Sequence, residues 1–155
     1  MGHTYSRLLF HTIFGTKDRM PLILESFRER LYEYMAGLAR NEFGRALAIG
    51  GTEDHVHGLL SLRTDVSIAE AMRKWKSLSS GWVGKTFALR SPFHWQSGYA
   101  AFTVSHSLTA RVSRYINSQA EHHRKKTFEE EFIAFLEAHG VEYDPNNLWD
   151  SRIGG

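Results

Sequence analysis

The chain has 155 residues, 42% of them hydrophobic, and a formal net charge of +2, which suits one globular domain with its own core and excludes a disordered chain. It contains no cysteine, which excludes disulfides and thiolate zinc sites and fits a reducing, cytoplasmic home. No apolar run approaches the roughly 20 residues of a membrane span, and the start, Met1-Gly2-His3-Thr4-Tyr5, lacks the basic-then-apolar pattern of a secretion signal. The charge is unevenly spread: residues 129–155 hold one of the 19 basic residues and seven of the 17 acidic ones. A basic body with an acidic tail is compatible with a polyanion partner, although on charge alone an ordinary solvated surface accounts for it.

Residues 5–16, aromatic and β-branched, predict a strand that ends at Gly15. His11 within it reads as a core or edge histidine with a satisfied hydrogen bond. Residues 17–21 form a polar turn closed by Pro21. Residues 26–43 predict a helix opened by a capping box, Ser26 to Glu29, with Phe27, Leu31, Tyr34, Met35 and Leu38 as its apolar stripe and Gly44 as its stop. Residues 45–51 predict a short strand, turned back as a hairpin onto a strand at about residues 55–62. Ser67 and Glu70 cap a second helix whose stripe is Ile68, Met72, Trp75, Leu78 and Trp82. Arg73, Lys74, Lys76 and Lys85 lie off that stripe, as a solvated face or as phosphate contacts. Residues 93–104 predict a strand bulged at Gly98. A third helix is expected over residues 106–123, and a third capping box, Thr127 to Glu130, opens a fourth helix through about His139. Residues 141–155 read as a loose tail.

This order predicts an α+β fold of ferredoxin-like plan. A four-stranded antiparallel sheet carries helices on one face, followed by two further helices, in a single domain over residues 1–155 with its core at about residues 4–140. The strand at residues 55–62 would be central, with one sheet face exposed for a site. That strand opens with His55-Val56-His57. On a strand, His55 and His57 share one face about 6.6 Å apart while Val56 turns into the core. Two imidazoles so placed can converge on one metal ion, although an isolated pair of this kind also occurs as a structural feature. A third ligand must come from elsewhere. Tyr115 and Gln119, four apart on the predicted third helix, are neighbours on one face. Gln119 offers a hard carbonyl oxygen suited to Mg2+ or Mn2+, and Tyr115 offers a phenol that can act as a covalent nucleophile.

His55-Val56-His57 resembles the histidine–hydrophobe–histidine signature of HUH nucleases, and Tyr115-Ile116-Asn117-Ser118-Gln119 resembles the tyrosine helix of the insertion sequence 200/605 transposases. Asp54 before the pair, the turn Thr16-Lys17-Asp18-Arg19 and the segment Trp95-Gln96-Ser97-Gly98-Tyr99 are similar to the same family, so the resemblance spans roughly residues 4–140. Gly58 departs from it, standing where many relatives carry an aliphatic residue. The resemblance implies a bacterial or archaeal, nucleoid-associated enzyme with single-stranded DNA hairpin ends as partner. His55, His57 and Gln119 would hold Mg2+ or Mn2+, Tyr115 would form a 5′-phosphotyrosine, and a homodimer would build composite sites from the pair of one chain and the tyrosine helix of the other. A domesticated relative that processes repetitive hairpins, or a catalytically silent hairpin-binding protein, would share these motifs. Arg73, Lys74, Lys76, Arg124 and Lys125 are the candidate DNA contacts. His122 and His123 read most plainly as exposed histidines at a helix end.

Overall fold

The structure, a computed structural model, describes residues 2–149. Its elements are β1 (Leu9–Gly15), α1 (Arg28–Glu42), β2 (Gly44–Gly51), β3 (His55–Leu62), α2 (Ile68–Thr86), β4 (Ala100–Thr103), α3 (Thr109–Asn117), α4 (Gln119–His122) and α5 (Phe128–Ala138), with short 3-10 turns at Lys17–Arg19 and His106–Leu108. The strands pair antiparallel in the order β2-β3-β1-β4. This is the expected ferredoxin-like plan, and it makes β3 a central strand. Among the described residues no helix is long and apolar enough to cross a membrane.

Alternation along β3 divides the molecule. Val56, Leu60 and Leu62 face α1 and α2 and join the main core with Phe14, Met35, Met72 and Trp75. His55, His57 and Leu59 face the other way. That second face is not open as the sequence suggested. Ile13, Phe102, Phe128, Phe132 and Leu136 bury it under α5, and Ala48, Leu59 and Ile116 bury it under α3.

Gly58 is explained by Trp75. A Cβ at Gly58 would lie 2.7 Å from the Trp75 ring, and Trp75 is fully buried, its indole donating to Met35 O at 2.9 Å. The tryptophan fills the space an aliphatic side chain would take. Gly58→Val should therefore destabilise the fold by about 1–3 kcal/mol, read as a lower denaturation midpoint with an unchanged slope.

Several local expectations are corrected. β1 begins at Leu9, not Tyr5, which is 91% exposed. The first capping box does not form. Phe27 is buried against Phe87 and pins the entry, so α1 starts at Arg28 with no side-chain cap. At α2 the Ser67 half of the box forms, while the Glu70 carboxylate pairs with Lys74 at 3.4 Å. The strand expected over residues 93–104 shrinks to Ala100–Thr103, because Gly98 turns the chain at φ 88°; Trp95 keeps one bridge to Thr16. The third helix is broken at Ser118, whose hydroxyl bonds back to Arg114 O at 2.7 Å and competes with the helical ladder. The capping box at Thr127 and Glu130 forms in full. The tail is not loose as far as Trp149, which packs on Phe128 and Phe132 at 5.1 and 5.2 Å; residues 150–155 lie outside the described residues.

Candidate active site

The hairpin of β2 and β3 presents His55 and His57 on the inner face, both fully buried. Around each, hydrogen bonds at Nδ1 leave Nε2 to point inward. His55 Nδ1 lies 2.8 Å from Asp54 Oδ1 and 3.0 Å from Thr52 Oγ1. His57 Nδ1 lies 2.8 Å from His11 Nε2 on β1. Partners of this kind fix the orientation and tautomer of a metal-binding imidazole.

The two Nε2 atoms meet oxygens from elements far along the chain. His55 Nε2 is 3.0 Å from Gln119 Oε1 and 3.4 Å from Glu131 Oε1. His57 Nε2 is 3.0 Å from the same Glu131 oxygen. His123 Nε2 approaches both Gln119 Oε1 and Glu131 Oε1 at 3.1 Å. The Tyr115 hydroxyl donates to the other Glu131 oxygen, Oε2. One carboxylate thus joins the imidazole pair to the phenol within a single chain.

Packing brings these groups together. A Cβ at Gly50 would lie 2.2 Å from Ile116 O, so α3 can rest directly on β2 only because that residue is glycine. The break at Ser118 then turns Gln119 inward, where it is 2% exposed, and leaves the Tyr115 ring partly exposed against His122 at 4.2 Å. On α5, Phe128 stacks on His55 at 4.0 Å and aims Glu131 one turn later into the site.

Electrostatics follow from burial and contact. Burial opposes a charge on His55, but bonds to Asp54 and Glu131 outweigh it and raise its pKa to about 9. His57 is pushed down to about 4, chiefly by burial, and His11 to about 3 by burial and the neighbouring His57. Burial alone would raise the Glu131 pKa; bonds from His123, His55 and His57 hold it well below the usual carboxylate range. The Tyr115 phenol is raised above its ordinary value by burial and by Glu131.

The donor set fits a hard divalent cation. His55, His57 and Glu131 offer ligand atoms within 4.8 Å of one another, and Gln119 adds an amide oxygen to the cluster. Ligands about 2.1 Å from an octahedral ion stand roughly 3.0 Å apart along an edge, close to the 3.0–3.4 Å separations here. If His11 orients His57 toward a metal, His11→Phe should lower Mn2+ affinity about 10–100-fold with the fold intact, as calorimetric titration would show.

The structure gathers His55, His57, Tyr115 and Gln119 within one chain, whereas the resemblance implied a tyrosine helix supplied by the partner. It adds Glu131 and His123, which the sequence reading did not place in the site, and gives His11, read as a satisfied core or edge histidine, a partner in His57. His123 is not an exposed helix-end residue; its side chain is 12% exposed and faces Glu131. Glu131 had one signal: it sits on the apolar stripe of α5 between Phe128, Phe132 and Phe135, at a position its neighbours Glu129 and Glu130 do not share. The basic candidates separate. Arg73, Lys74 and Lys76 ride on α2, across the sheet from the histidines. Lys76 is a correction: it is 1% exposed, donates to Gly98 O at 2.8 Å, and has its pKa lowered by burial to about 8. Lys74 pairs with Glu42 and Glu70. Lys125 lines an open notch beside Tyr115 together with His122 and Lys126, and the neighbouring Arg124 pairs with Glu121 at 3.3 Å.

The chain matches the family model described as "Transposase IS200 like" over residues 4–119. It belongs to the IS200-like transposase family. Among solved structures, this transposase-family chain is similar to a candidate transposase of Deinococcus radiodurans R1, with a TM-score of 0.61 and 25% identity, over 75% of this chain and 94% of that one. It shares its fold with a REP-associated tyrosine transposase bound to a REP hairpin, with a TM-score of 0.54 and 15% identity, over 75% of this chain and 68% of the other. No curated protein matches it. Membership places the chain among DNA-processing transposases, and the buried histidine–glutamate group is one that could bind a metal.

Proposed function

We propose that this IS200-like transposase, as a single domain, binds hairpin ends of single-stranded DNA and cleaves and rejoins them through Tyr115. The observation that carries this reading is the meeting of the Tyr115 phenol and both imidazoles of the pair on one buried carboxylate, Glu131. Tyr115 Oη attacks the scissile phosphorus and passes its proton to Glu131 Oε2. As the bond from phosphorus to the 3′ oxygen breaks, Glu131 relays that proton to the departing oxygen, which leaves as a 3′-hydroxyl, so the 5′ phosphate stays on the tyrosine. The phosphotyrosine link retains the ester, and reversal by another 3′-hydroxyl rejoins DNA without a nucleotide cofactor. His55, His57, Gln119 and Glu131 would hold Mg2+ or Mn2+, which when bound polarises the phosphate as a Lewis acid. Lys125 and Lys126, beside Tyr115, suit the flanking phosphates.

The resemblance implies a homodimer with composite sites, whereas the contacts within one chain favour a tyrosine serving its own histidine pair. A second biological reading, host-repeat processing by a domesticated copy, is favoured by the structural neighbour bound to a REP hairpin. The DNA flanking the coding region separates the two, since a mobile copy sits between element ends.

The test is incubation with labelled hairpin-bearing single strands in Mg2+ or Mn2+, resolved on denaturing gels. A covalent protein–DNA adduct is expected. His57→Ala should abolish the adduct while hairpin binding persists; tight binding with no adduct from the parent protein would mark a silent binder. Tyr115→Phe and His57→Ala proteins should stay inactive when mixed, and recovery of cleavage would show that the tyrosine acts across subunits.

A further inference from the structure

A second polar cavity, of about 280 Å3, opens at the free edge of β2. Arg28, Glu29 and Tyr32 of α1 line one wall, and Asn117 and Gln119 line the other, with Gly50 between. It reaches the Gln119 side of the active site, whereas the lysine notch reaches the Tyr115 side.

Two atoms just behind this cavity's wall, on residues that line it, lack what buried polar groups normally have. Arg28 Nε and the Tyr32 hydroxyl are both buried with no hydrogen-bond partner. They are the only such side-chain atoms among the described residues, and they stand four apart, on one face of α1. Leaving a buried donor unpaired is costly, so two side by side point to a partner that arrives later. Arg28 is anchored through its terminal nitrogen on Ile23 O at 2.8 Å, which leaves Nε as the free donor. Burial raises the Tyr32 phenol above its ordinary pKa, so it keeps its proton to donate. Both side chains are only half-buried, so a small adjustment brings the donors into the cavity. The Glu29 carboxylate on the same wall disfavours a phosphate there, and the small volume admits one base rather than a duplex.

Building on the proposed nuclease reading, we propose that this cavity is a specificity pocket for one unpaired purine beside the scissile phosphate. Guanine fits best: its N7 and O6 are adjacent acceptors for Arg28 Nε and the Tyr32 hydroxyl, and the Asn117 amide can reach a further edge atom. The pocket would choose the cleavage position by its base, while Gln119 next to it helps hold the phosphate.

The probe is a pool of DNA stem-loops whose stems and unpaired flanks are both randomised, selected for binding to the full chain and sequenced. The parent protein should enrich guanine at one flank position. Tyr32→Phe and Arg28→Lys should lose that enrichment and keep the stem preference. In the selected oligonucleotide, replacing that guanine by 7-deazaguanine should weaken binding by the parent about tenfold and leave binding by the variants nearly unchanged. Tyr32→Phe should match or exceed the parent in melting temperature, because it removes an unpartnered hydroxyl; a loss of enrichment accompanied by a lower melting temperature would mark Tyr32 as merely structural and overturn the pocket. Retained guanine preference in both variants, or selected stems with no flank preference, would also overturn it while leaving hairpin recognition standing. Failure of the parent to select any stem-loop would instead bring down the nuclease reading on which the pocket rests.

Discussion

Tyr115→Phe is expected to leave no covalent protein–DNA adduct and to lower strand cleavage roughly 10⁴-fold or more, as loss of a nucleophile does. The substitution removes one oxygen from a ring that otherwise keeps its stacking on His122 and its edge contacts with His57 and Phe135. The lost bond to the ionised Glu131 should cost about 1.5–3 kcal/mol of stability, too little to unfold the chain. Hairpin affinity should stay within about twofold, since binding rests on phosphate and stacking contacts elsewhere. Single-turnover cleavage and a binding titration on the same sample separate the two quantities. A variant that nicks at the parent rate would remove the phenol from the chemistry.

Glu131→Gln should show the next largest change, and in two measurements. The carboxylate is 1% exposed and gathers His55, His57 and His123. Neutralising one partner of a buried charged cluster costs on the order of 3 kcal/mol, so the melting temperature of the metal-free protein should fall. Divalent ions should also bind more weakly. Saturating Mn2+ stabilises a protein by binding the folded state, about 2.7 kcal/mol at 100 times the dissociation constant. The variant should lose most of that gain at the same Mn2+ concentration, and its cleavage should fall with it. If Mn2+ raised the melting temperature of variant and parent equally, Glu131 would be a structural partner of the histidines and Gln119 would be the sufficient oxygen ligand.

Much of this site was legible before any coordinates. The strand period alone puts His55 and His57 on one face with Val56 on the other, because side chains alternate. The i, i+4 spacing brought Tyr115 and Gln119 together, although the helix between them is broken at Ser118. Glu131 was not legible as a site residue. Three consecutive glutamates open α5; the apolar stripe marks Glu131 as the one that turns inward, but only the packing of Phe128 on His55 lays that stripe against the histidine pair. His11 read as a satisfied buried histidine, and it is one, but its partner is 46 residues away. Lys76 misled for a related reason: its position off the apolar stripe says solvent, yet the turn at Gly98 closes over it.

The sequence by itself determined the order of elements, the α+β class and the central place of the histidine strand, and it singled out Tyr115 as the candidate nucleophile, since each is written in local period, capping and motif. Only the tertiary structure decided that α5 covers the histidine face, that a carboxylate from that helix joins the pair to the phenol, and that the tyrosine lies beside the histidines of its own chain. The division has a physical cause. Periodicity reports which way a side chain leaves its own strand or helix, whereas a buried polar cluster is fixed by which remote element arrives to satisfy it, and that depends on packing between segments far apart in the chain.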